Sequence, residues 1–146
     1  MLGDRWSLLI VRDMMVRGLR TFREFQRSGE GIATNILADR LHKLEVGGIL
    51  VREPAEHDGR STYYRLTAKG IALAPVLLEL LIWGTHHEEA DLPRSAIDQM
   101  EQNRAAMLAE TYRRWEQRDP TPILPVFTSG TKPKSKSHSL KGRSKQ

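Results

Sequence analysis

Apolar residues recur at helical spacing in the first part of the chain. From Asp4 to Arg17 they fall at intervals of three and four, and Gly18 ends the pattern, which predicts a first helix over these residues. Thr21 and Glu24 have the spacing of a capping box, in which each side chain satisfies a backbone N–H at the start of a helix. A short second helix is therefore predicted to begin at Thr21.

A third helix is predicted at residues 34–46, because Leu37, Leu41 and Leu44 follow one another at intervals of four and three. At about 100° per residue, these leucines share one face of the helix. The opposite face then carries Asn35, Ala38, Asp39, His42 and Lys43. Arg40 borders the apolar face, so we expect it to pair with a nearby carboxylate. Gly47 is expected to end the helix in the left-handed conformation.

Two short runs after this helix have the pattern of β-strands. Residues 49–53 and 61–66 are predicted as strands on either side of a turn at residues 57–60, and Pro54 restricts the first strand to a short length or an edge. The order helix, turn, helix, hairpin is the layout of a winged helix-turn-helix, which suits placing one helix in the major groove of DNA.

The rest of the chain predicts two longer helices. Thr67 is expected to cap a helix from Ala68 to about Thr85, kinked at Pro75, and a final helix is expected at residues 93–118. The second half of the first of these helices is apolar nearly all round, so a second apolar stripe needs another covering surface. Either a second subunit or the final helix meets this need; we favour the subunit, with the final helix contributing. The predicted dimer interface consists of Val76, Leu77, Leu80, Leu81 and Trp83.

The formal net charge of +5 is not spread along the chain. Residues 1–118 carry as many Lys and Arg as Asp and Glu, so the whole surplus lies in residues 119–146. A DNA-binding face must therefore come from local clustering of charge. Residues 120–146, rich in Pro, Ser, Gly and Lys, are predicted to be disordered. This tail either adds non-specific affinity for DNA or is simply solvated.

Enzymes and metal proteins find little support in the sequence. The chain has no cysteine, which excludes disulfides, thiolate metal sites and thiol redox switches. A Gly-rich phosphate loop, a nucleophile with a base partner and paired carboxylates in an apolar pocket are all missing, so we expect no enzyme and no cofactor. The consecutive residues 86–89 (His-His-Glu-Glu) face different ways on a helix, so no metal site is expected.

Neither secretion nor membrane insertion is expected from the sequence. Asp4 and Arg5 precede the first apolar run, unlike in a secretory signal. The longest apolar stretch, residues 73–83, contains Pro75 and Glu79 and is shorter than the roughly 20 residues that span a bilayer. A cytoplasmic protein without a membrane partner is the expectation.

Four motifs in this order resemble the HxlR-type bacterial transcription regulators, a branch of the winged-helix proteins related to MarR. They are Gly3-Asp-Arg-Trp-Ser-Leu-Leu-Ile-Val-Arg-Asp, Phe22-Arg-Glu-Phe, Ile32-Ala-Thr-Asn-Ile-Leu-Ala-Asp-Arg-Leu-His-Lys-Leu-Glu and Tyr64-Arg-Leu-Thr-Ala-Lys-Gly. The resemblance covers residues 3–87. It implies a homodimer that binds a pseudo-palindromic operator, with residues 34–46 as the reading helix and residues 57–61 as the wing tip.

The chain departs from the family pattern in two places. Members usually carry a further N-terminal segment, often with a cysteine, whereas this chain starts at the Gly-Asp-Arg-Trp motif, which suggests a shortened start. The thiol sensing known in some members is therefore not expected. Ala33 stands where the family often has a serine N-cap, so Thr34 is expected to cap the reading helix instead.

The predicted DNA contacts lie on the reading helix, on the wing and on the helix before the turn. Asn35 can pair with adenine through two hydrogen bonds, and Ala38 can touch a thymine methyl group. Asp39 would repel phosphates, so it either reads a cytosine amino group or lowers affinity. Arg20 and Arg27 are further candidates for following the DNA backbone. The predicted DNA-binding residues are Thr34, Asn35, Ala38, Asp39, His42, Lys43, Gly59, Arg60, Ser61 and Arg23.

The sequence thus predicts a mainly α protein with a small antiparallel β-hairpin, a winged helix-turn-helix with a C-terminal helical extension. Residues 1–90 are expected to form the DNA-binding domain with its dimerisation helix, 91–118 a helix supporting the dimer, and 119–146 the disordered tail. The predicted function is a dimeric, sequence-specific transcription regulator, repressor rather than activator. An unidentified small-molecule effector would act by changing the dimer angle at residues 68–85, although a constitutive repressor fits equally. The competing hypothesis is a protein-interaction module without specific DNA binding.

Overall fold

The computed structural model describes residues 2–55, 57–88 and 92–123, and the elements follow the predicted order. The helices and strands are α1 Arg5–Val16, α2 Phe22–Gln26, α3 Thr34–Val46, β1 Leu50–Ala55, β2 Asp58–Leu66, α4 Ala68–Ile71, α5 Ala74–His87, α6 Arg94–Gln102 and α7 Arg104–Glu116. The two strands pair antiparallel, with Leu50 opposite Leu66. The predicted fold class, mainly α with one hairpin, is confirmed.

The first two helices begin as the sequence predicts. Asp4 caps α1 by accepting hydrogen bonds from the backbone N–H groups of Trp6 and Ser7, both at 3.1 Å. Thr21 and Glu24 form both halves of a capping box at the start of α2. These caps satisfy N–H groups that have no partner inside a helix, and so they fix where each helix starts.

The predictions for the two ends of α3 were wrong by one residue each. Ala33 is the N-cap and makes no side-chain cap bond, while Thr34 is already helical. The Thr34 hydroxyl instead accepts a hydrogen bond from the Gln26 amide at 2.7 Å. At the other end Gly47 stays right-handed, because its N–H still bonds the Lys43 carbonyl at 2.9 Å. Gly48, at φ +70°, takes the left-handed conformation and turns the chain into β1.

The hairpin is longer than predicted. The strand register shifts between Pro54 and Ala55, and Ala55 then pairs with Asp58. Proline has no N–H to donate to the ladder, so it tolerates a position beside such an irregularity. As a result Asp58, Gly59 and Arg60, which were predicted to form the turn, lie at the start of β2.

The predicted helix from Ala68 to Thr85 is two helices, not one kinked helix. Thr67 caps only the four-residue α4, and α5 starts anew at Ala74 with Pro75 in its first turn. Proline inside a helix clashes with the carbonyl four residues earlier, whereas in the first turn its missing N–H costs nothing. The chain therefore breaks before Pro75 rather than bending at it.

Residues Ala68–His87 form a 20-residue stretch with a mean hydropathy of 1.5, long and apolar enough to cross a membrane by length and composition. The expectation that no stretch reaches that length was wrong. Core helices of other proteins pass the same test, and Leu77, Leu78 and Ile82 are buried inside this chain. The stretch is also interrupted at residues 72–73, between α4 and α5. These observations favour a core helix.

The C-terminal region also differs from its prediction. The final helix breaks at Asn103, a weak helix former, and both α6 and α7 contact α5. Beyond α7 the chain returns to α1, where the Ile123 N–H bonds the Val16 carbonyl at 2.9 Å. Order was predicted to end at Asp119, but that side chain accepts hydrogen bonds from Thr121 that fix a turn. The rest of the predicted disordered tail, residues 124–146, lies outside the described residues.

Two apolar clusters hold these elements together. The larger joins α1, α2, α3, the hairpin, α4 and α5, and Tyr112 and Trp115 of α7 pack against it. The smaller joins α5 to α6 through Leu78, Ile82 and Met100. Because Tyr112 and Trp115 pack against the larger cluster, α7 shares the core of the helix-turn-helix, whereas α6 packs in the smaller cluster.

Gly70 of α4 offers a test of this packing. A Cβ atom at Gly70 would lie 2.1 Å from the Ile49 carbonyl oxygen, a backbone atom that cannot move alone. We therefore expect Gly70→Ala to lower the free energy of unfolding by about 2 kcal/mol or more, measured by urea denaturation. Gly84→Ala is the matched control, because it adds the same methyl group to α5 with nothing within 4 Å. The control should be neutral or stabilising by up to about 1 kcal/mol; equal losses in both variants would contradict the packing described here.

Candidate nucleic-acid interface

The outward face of α3 carries the polar residues that the sequence predicted. Leu37 and Leu44 are fully buried and Leu41 is 2% exposed, so the helix cannot rotate without losing core contacts. The structure places all six predicted contact residues of α3 on its exposed side: Thr34, Asn35, Ala38, Asp39, His42 and Lys43. Of these, Thr34 is held by its bond from Gln26. A continuous polar strip therefore faces outward along α3.

The one acidic residue of this strip is neutralised by its neighbours. The Asp39 carboxylate pairs with the Lys43 ammonium at 3.0 Å and also contacts the Arg40 guanidinium. The hydrogen bond from Lys43, followed by the charges of Lys43 and Arg40, lowers the pKa of Asp39 below its ordinary value. Asp39 thus stays ionised at neutral pH, but its charge is offset locally, which reduces the repulsion that a phosphate would meet.

Arg40 ties α3 to the start of α1. Its Nε donates to Asp4 Oδ1 at 2.9 Å, which confirms the predicted pairing with a carboxylate. Asp4 also accepts from the Ser7 hydroxyl at 2.6 Å. Burial on its own would raise the pKa of Asp4, but the hydrogen bonds from Ser7 and Arg40 outweigh it and lower the pKa from 3.8 to about 2. Asp4 therefore serves both as the cap of α1 and as an anchor for α3.

The wing tip is organised by Asp58. Its carboxylate accepts from the Arg60 backbone N–H at 3.0 Å and from the Ser61 hydroxyl at 2.7 Å. Gly59 and Arg60 are exposed, whereas Ser61 is half-buried with its hydroxyl engaged. The predicted wing residues are thus adjacent, but only the Arg60 guanidinium reaches outward without an ion-pair partner among the described residues.

The cations of and near α2 divide into two groups. Arg23 and Arg27 are exposed and form no ion pair among the residues that the structure describes, so they remain candidates for phosphate contact. Arg20 instead lies over the Tyr63 ring, with its guanidinium carbon 4.8 Å from the ring centroid. The predicted role of Arg20 along the DNA backbone therefore competes with this stacking.

The structure adds residues to the site that the sequence analysis missed. Gln26 fixes Thr34, Asp4 anchors Arg40, and Asp58 orders the wing. The spacing Asp58-Gly59-Arg60 is a signal for a side chain that bonds the backbone two residues on, and Asp4 before an apolar run is a signal for an N-cap. The contact of Gln26 with Thr34 joins separate helices and has no local signal.

Only three of the five residues predicted for the dimer interface are exposed on the surface. Val76, Leu80 and Trp83 are 54%, 46% and 54% exposed, and together they form an apolar strip on α5. Leu77 is buried in the larger core cluster, and Leu81 packs against the smaller one. The strip is thus the part of α5 that α6 and α7 leave uncovered.

The acidic and histidine side chains of the described residues do not gather into a metal-binding group. No group of three or more His, Asp or Glu side chains suitable for a metal ion occurs among the described residues. His86 contacts Glu101 of α6, whereas His87 stacks on Trp83 at 4.8 Å. The two adjacent histidines therefore diverge.

Helix α3 packs through its leucines, follows the short helix α2 and precedes the hairpin. This arrangement agrees with the comparison to known families. The HxlR-like helix-turn-helix family matches residues 1–92. The chain belongs to this family. The resemblance seen in the four sequence motifs is thus confirmed.

The relatives of this HxlR-like chain are transcription regulators. It is 34% identical over 84 residues to the uncharacterised HTH-type transcriptional regulator YvaP of Bacillus subtilis (strain 168), covering 58% of this chain and 77% of YvaP. It is 35% identical over 83 residues to the HTH-type transcriptional regulator YodB of the same organism, covering 57% of this chain and 73% of YodB.

Solved structures give the same picture. PA1607, named as a candidate transcription factor, matches with a TM-score of 0.57 and 48% identity over 63% of each chain. Reduced YodB from B. subtilis matches with a TM-score of 0.50 and 32% identity, covering 59% of this chain and 83% of that one. The chain thus spans a little under two thirds of PA1607. The present chain is thus a transcriptional regulator of the HxlR family with a helix-turn-helix of the DNA-binding type.

The anchor between Asp4 and Arg40 predicts a pH-dependent stability difference. Because the folded-state pKa of Asp4 is depressed, its contribution is complete above its ordinary pKa of 3.8 and is lost as the pH falls towards about 2. Asp4→Asn keeps a capping side chain but loses the charge. With allowance for solvent screening, it should lower the free energy of unfolding by about 1–2 kcal/mol at pH 7, and by progressively less below pH 4.

Urea denaturation at a series of pH values measures this difference. Asp98→Asn is the control, because Asp98 pairs with Arg94 at 3.3 Å on an exposed helix surface. Its effect should stay below about 1 kcal/mol at every pH. If the difference in free energy of unfolding between the wild type and Asp4→Asn is the same at pH 6 and pH 3, the charge of Asp4 does not contribute to stability.

Proposed function

We propose that the chain is a dimeric repressor that binds a pseudo-palindromic operator, with α3 in the major groove and the wing beside it. The observation that carries this proposal is the outward strip of α3. Its one carboxylate is offset by Lys43 and Arg40, and its other members are polar, small or basic. The leucines on the opposite face fix the strip in place.

Base contacts are assigned to the first two turns of α3. Asn35 can donate to and accept from the edge of an adenine, and the Ala38 methyl group can contact a thymine methyl. Both are exposed and neither is engaged by a neighbouring side chain among the described residues. Asp39 either accepts from a cytosine amino group or, through its ion pair with Lys43, limits affinity.

Backbone contacts are assigned to the exposed cations around α3. Positive charge comes from three separate points: Arg23 and Arg27 in and just after α2, Lys43 of α3, and Arg60 of the wing. Such contacts set orientation and give affinity that falls as salt rises, without reading sequence. Because residues 1–118 have no net charge, this local cluster must supply the attraction.

Dimerisation is assigned to the apolar strip of α5. Val76, Leu80 and Trp83 present apolar surface that the chain's own helices do not cover. Pairing this strip with its copy would relate two α3 helices by a two-fold axis, about 34–36 Å apart, so that they read half-sites one helical turn apart. Repression is favoured over activation because blocking a promoter needs no further contact surface. Such a protein would act in the cytoplasm.

The first experiment is fluorescence anisotropy of the chain with DNA from its own upstream region and with a scrambled duplex, over a salt series. We expect the upstream DNA to bind about 10³-fold or more tightly, and the preference to survive as salt rises. A version ending at Ile123 tests the basic tail. Equal, salt-sensitive binding to both duplexes that disappears in this version would favour the protein-interaction module instead.

A triple variant tests the assigned contacts. Asn35→Ala, His42→Ala and Arg60→Ala together should weaken operator binding at least about a hundredfold, because each contact to a base or phosphate contributes on the order of 1–3 kcal/mol. The matched control removes similar side chains from α5 and α6, outside the assigned contacts: Gln99→Ala, His86→Ala and Arg94→Ala. Anisotropy should show near-native binding for the control. Equal binding by both variants would refute the placement of the DNA on α3.

A separate pair of variants tests the dimer. Leu80→Glu with Trp83→Glu places two charges in the apolar strip, so sedimentation should show a folded monomer where the wild type is a dimer at micromolar concentration. Val46→Glu with Val51→Glu adds the same charges at two other exposed apolar positions, which are 74% and 40% exposed. This control should remain dimeric. A wild-type monomer at micromolar concentration would count against the operator arrangement.

A further inference from the structure

A cavity of about 320 Å³ lies between the end of α1, the hairpin and α7. Its wall includes apolar and aromatic residues from all three regions, among them Met14, Met15, Leu19, Tyr63 and Trp115. A volume of this size lies at the lower end of the range for small-molecule sites. Much of the wall, including Trp115 and residues 119–121, lies outside the part of the chain that matches the family.

The polar part of the wall has an excess of positive charge. Four arginines and only two carboxylates line the cavity: Arg20, Arg65, Arg114, Arg118, Glu53 and Asp119. Arg118 is bonded to Glu53 at 2.5 Å, and Arg114 to Glu110 at 2.6 Å. Among the described residues, no carboxylate lies within ion-pair distance of the Arg20 or Arg65 guanidinium.

Arg20 and Arg65 both lie against aromatic rings at the same side of β2. Arg20 stacks over Tyr63, and Arg65 lies over Trp115 with 5.0 Å between its guanidinium carbon and the ring centroid. Tyr63 and Arg65 are two residues apart on one strand, so their side chains point to the same face. Two cations that have no carboxylate at ion-pair distance within the described part of the chain therefore meet aromatic surface at one cavity.

We propose that this cavity binds a small, flat organic anion. Its ring would lie among the apolar and aromatic side chains, and its carboxylate or sulfonate would be held by Arg20 and Arg65. Stacking on a ring leaves the in-plane N–H donors of Arg20 open to an anion, and those of Arg65 apart from the one that bonds the Trp115 carbonyl. A planar donor fork matches the two oxygens of a carboxylate. A neutral ligand of the same shape would leave both cations unpaired and would bind more weakly.

The walls of the cavity connect the wing to α7. The Trp115 indole N–H donates to the Leu66 carbonyl at 2.8 Å, and Arg65 donates to the Trp115 carbonyl at 3.1 Å. The ion pair between Glu53 and Arg118, both in the cavity wall, joins β1 to the residues just after α7. A bound anion competes for Arg65 and so changes how the wing is held. The regulatory part of this inference rests on the proposed function, because only a DNA-binding wing converts such a change into altered operator affinity.

The test uses anilinonaphthalene sulfonate, a flat fluorescent anion, and its uncharged parent anilinonaphthalene. The full-length chain should bind one sulfonate per subunit, and Arg20→Gln with Arg65→Gln should weaken this binding about tenfold or more. Binding of the uncharged parent should change by less than about twofold. Arg20→Lys with Arg65→Lys keeps both charges but loses the planar donor forks, so it should lose less sulfonate affinity than the glutamine variant.

Arg104→Gln with Arg113→Gln is the matched control, because both arginines lie on α7 outside the cavity wall. An unchanged sulfonate affinity in the Arg20 and Arg65 variant, or an equal loss in this control, would overturn the proposal. Circular dichroism verifies folding. If the double glutamine variant is unfolded, Arg20→Gln alone is judged by the same comparison. Within the described part of the chain the Arg20 side chain stacks on Tyr63 and makes no hydrogen bond, so its loss should leave the fold intact.

A final arm repeats the operator titration with saturating sulfonate. A shift in DNA affinity for the wild type that is absent in the Arg20 and Arg65 variant supports coupling through the wing, and an unchanged affinity in both removes the regulatory part. Because the dye titration is done without DNA, a failure of the anion site and a failure of operator binding give different results.

Discussion

Burial of one face of α3 is the constraint on which the site depends. Leu37, Leu41 and Leu44 enter a core shared with α1, α2, the hairpin and α5, and their loss from that core would cost several kcal/mol in total. This anchoring fixes the rotation of the helix about its axis. It therefore decides which residues face outward before any partner is present, and it spares a binding partner the cost of ordering them.

Acidic residues give the site its order. Asp4 holds α1 and Arg40, Asp39 holds Lys43, and Asp58 holds the wing tip. Each carries the charge that DNA repels, yet each is engaged by a cation or by backbone and hydroxyl donors. These carboxylates reduce the attraction of the site for phosphate, but they fix the positions of its side chains and backbone. The first 118 residues have no net charge, so the positions of individual side chains matter more here than bulk charge.

Local patterns predicted much of this fold. The leucine spacing gave the face of α3, and the capping box gave the start of α2, because both depend on residues within one turn. The predictions failed where distant contacts decide the outcome. Gln26 engages the predicted cap Thr34, α6 and α7 meet α5 separately through a break at Asn103, and residues 119–123 return to α1. Within the site, the sequence predicted the exposed face of α3. It also predicted that Arg40 pairs with a carboxylate, but not that this carboxylate is Asp4. Nothing in the sequence indicated the cavity beside the wing.

The contacts of Trp115 restrict which C-terminal helices can follow this helix-turn-helix. Its ring packs on the larger cluster and its indole bonds the end of β2, although it lies 23 positions beyond the last residue that matches the family. The helix-turn-helix of this chain therefore shares part of its core with α7. Exchange of the last helix with that of a relative would therefore demand matched changes at the end of β2, where Trp115 and Arg65 bond each other's segments.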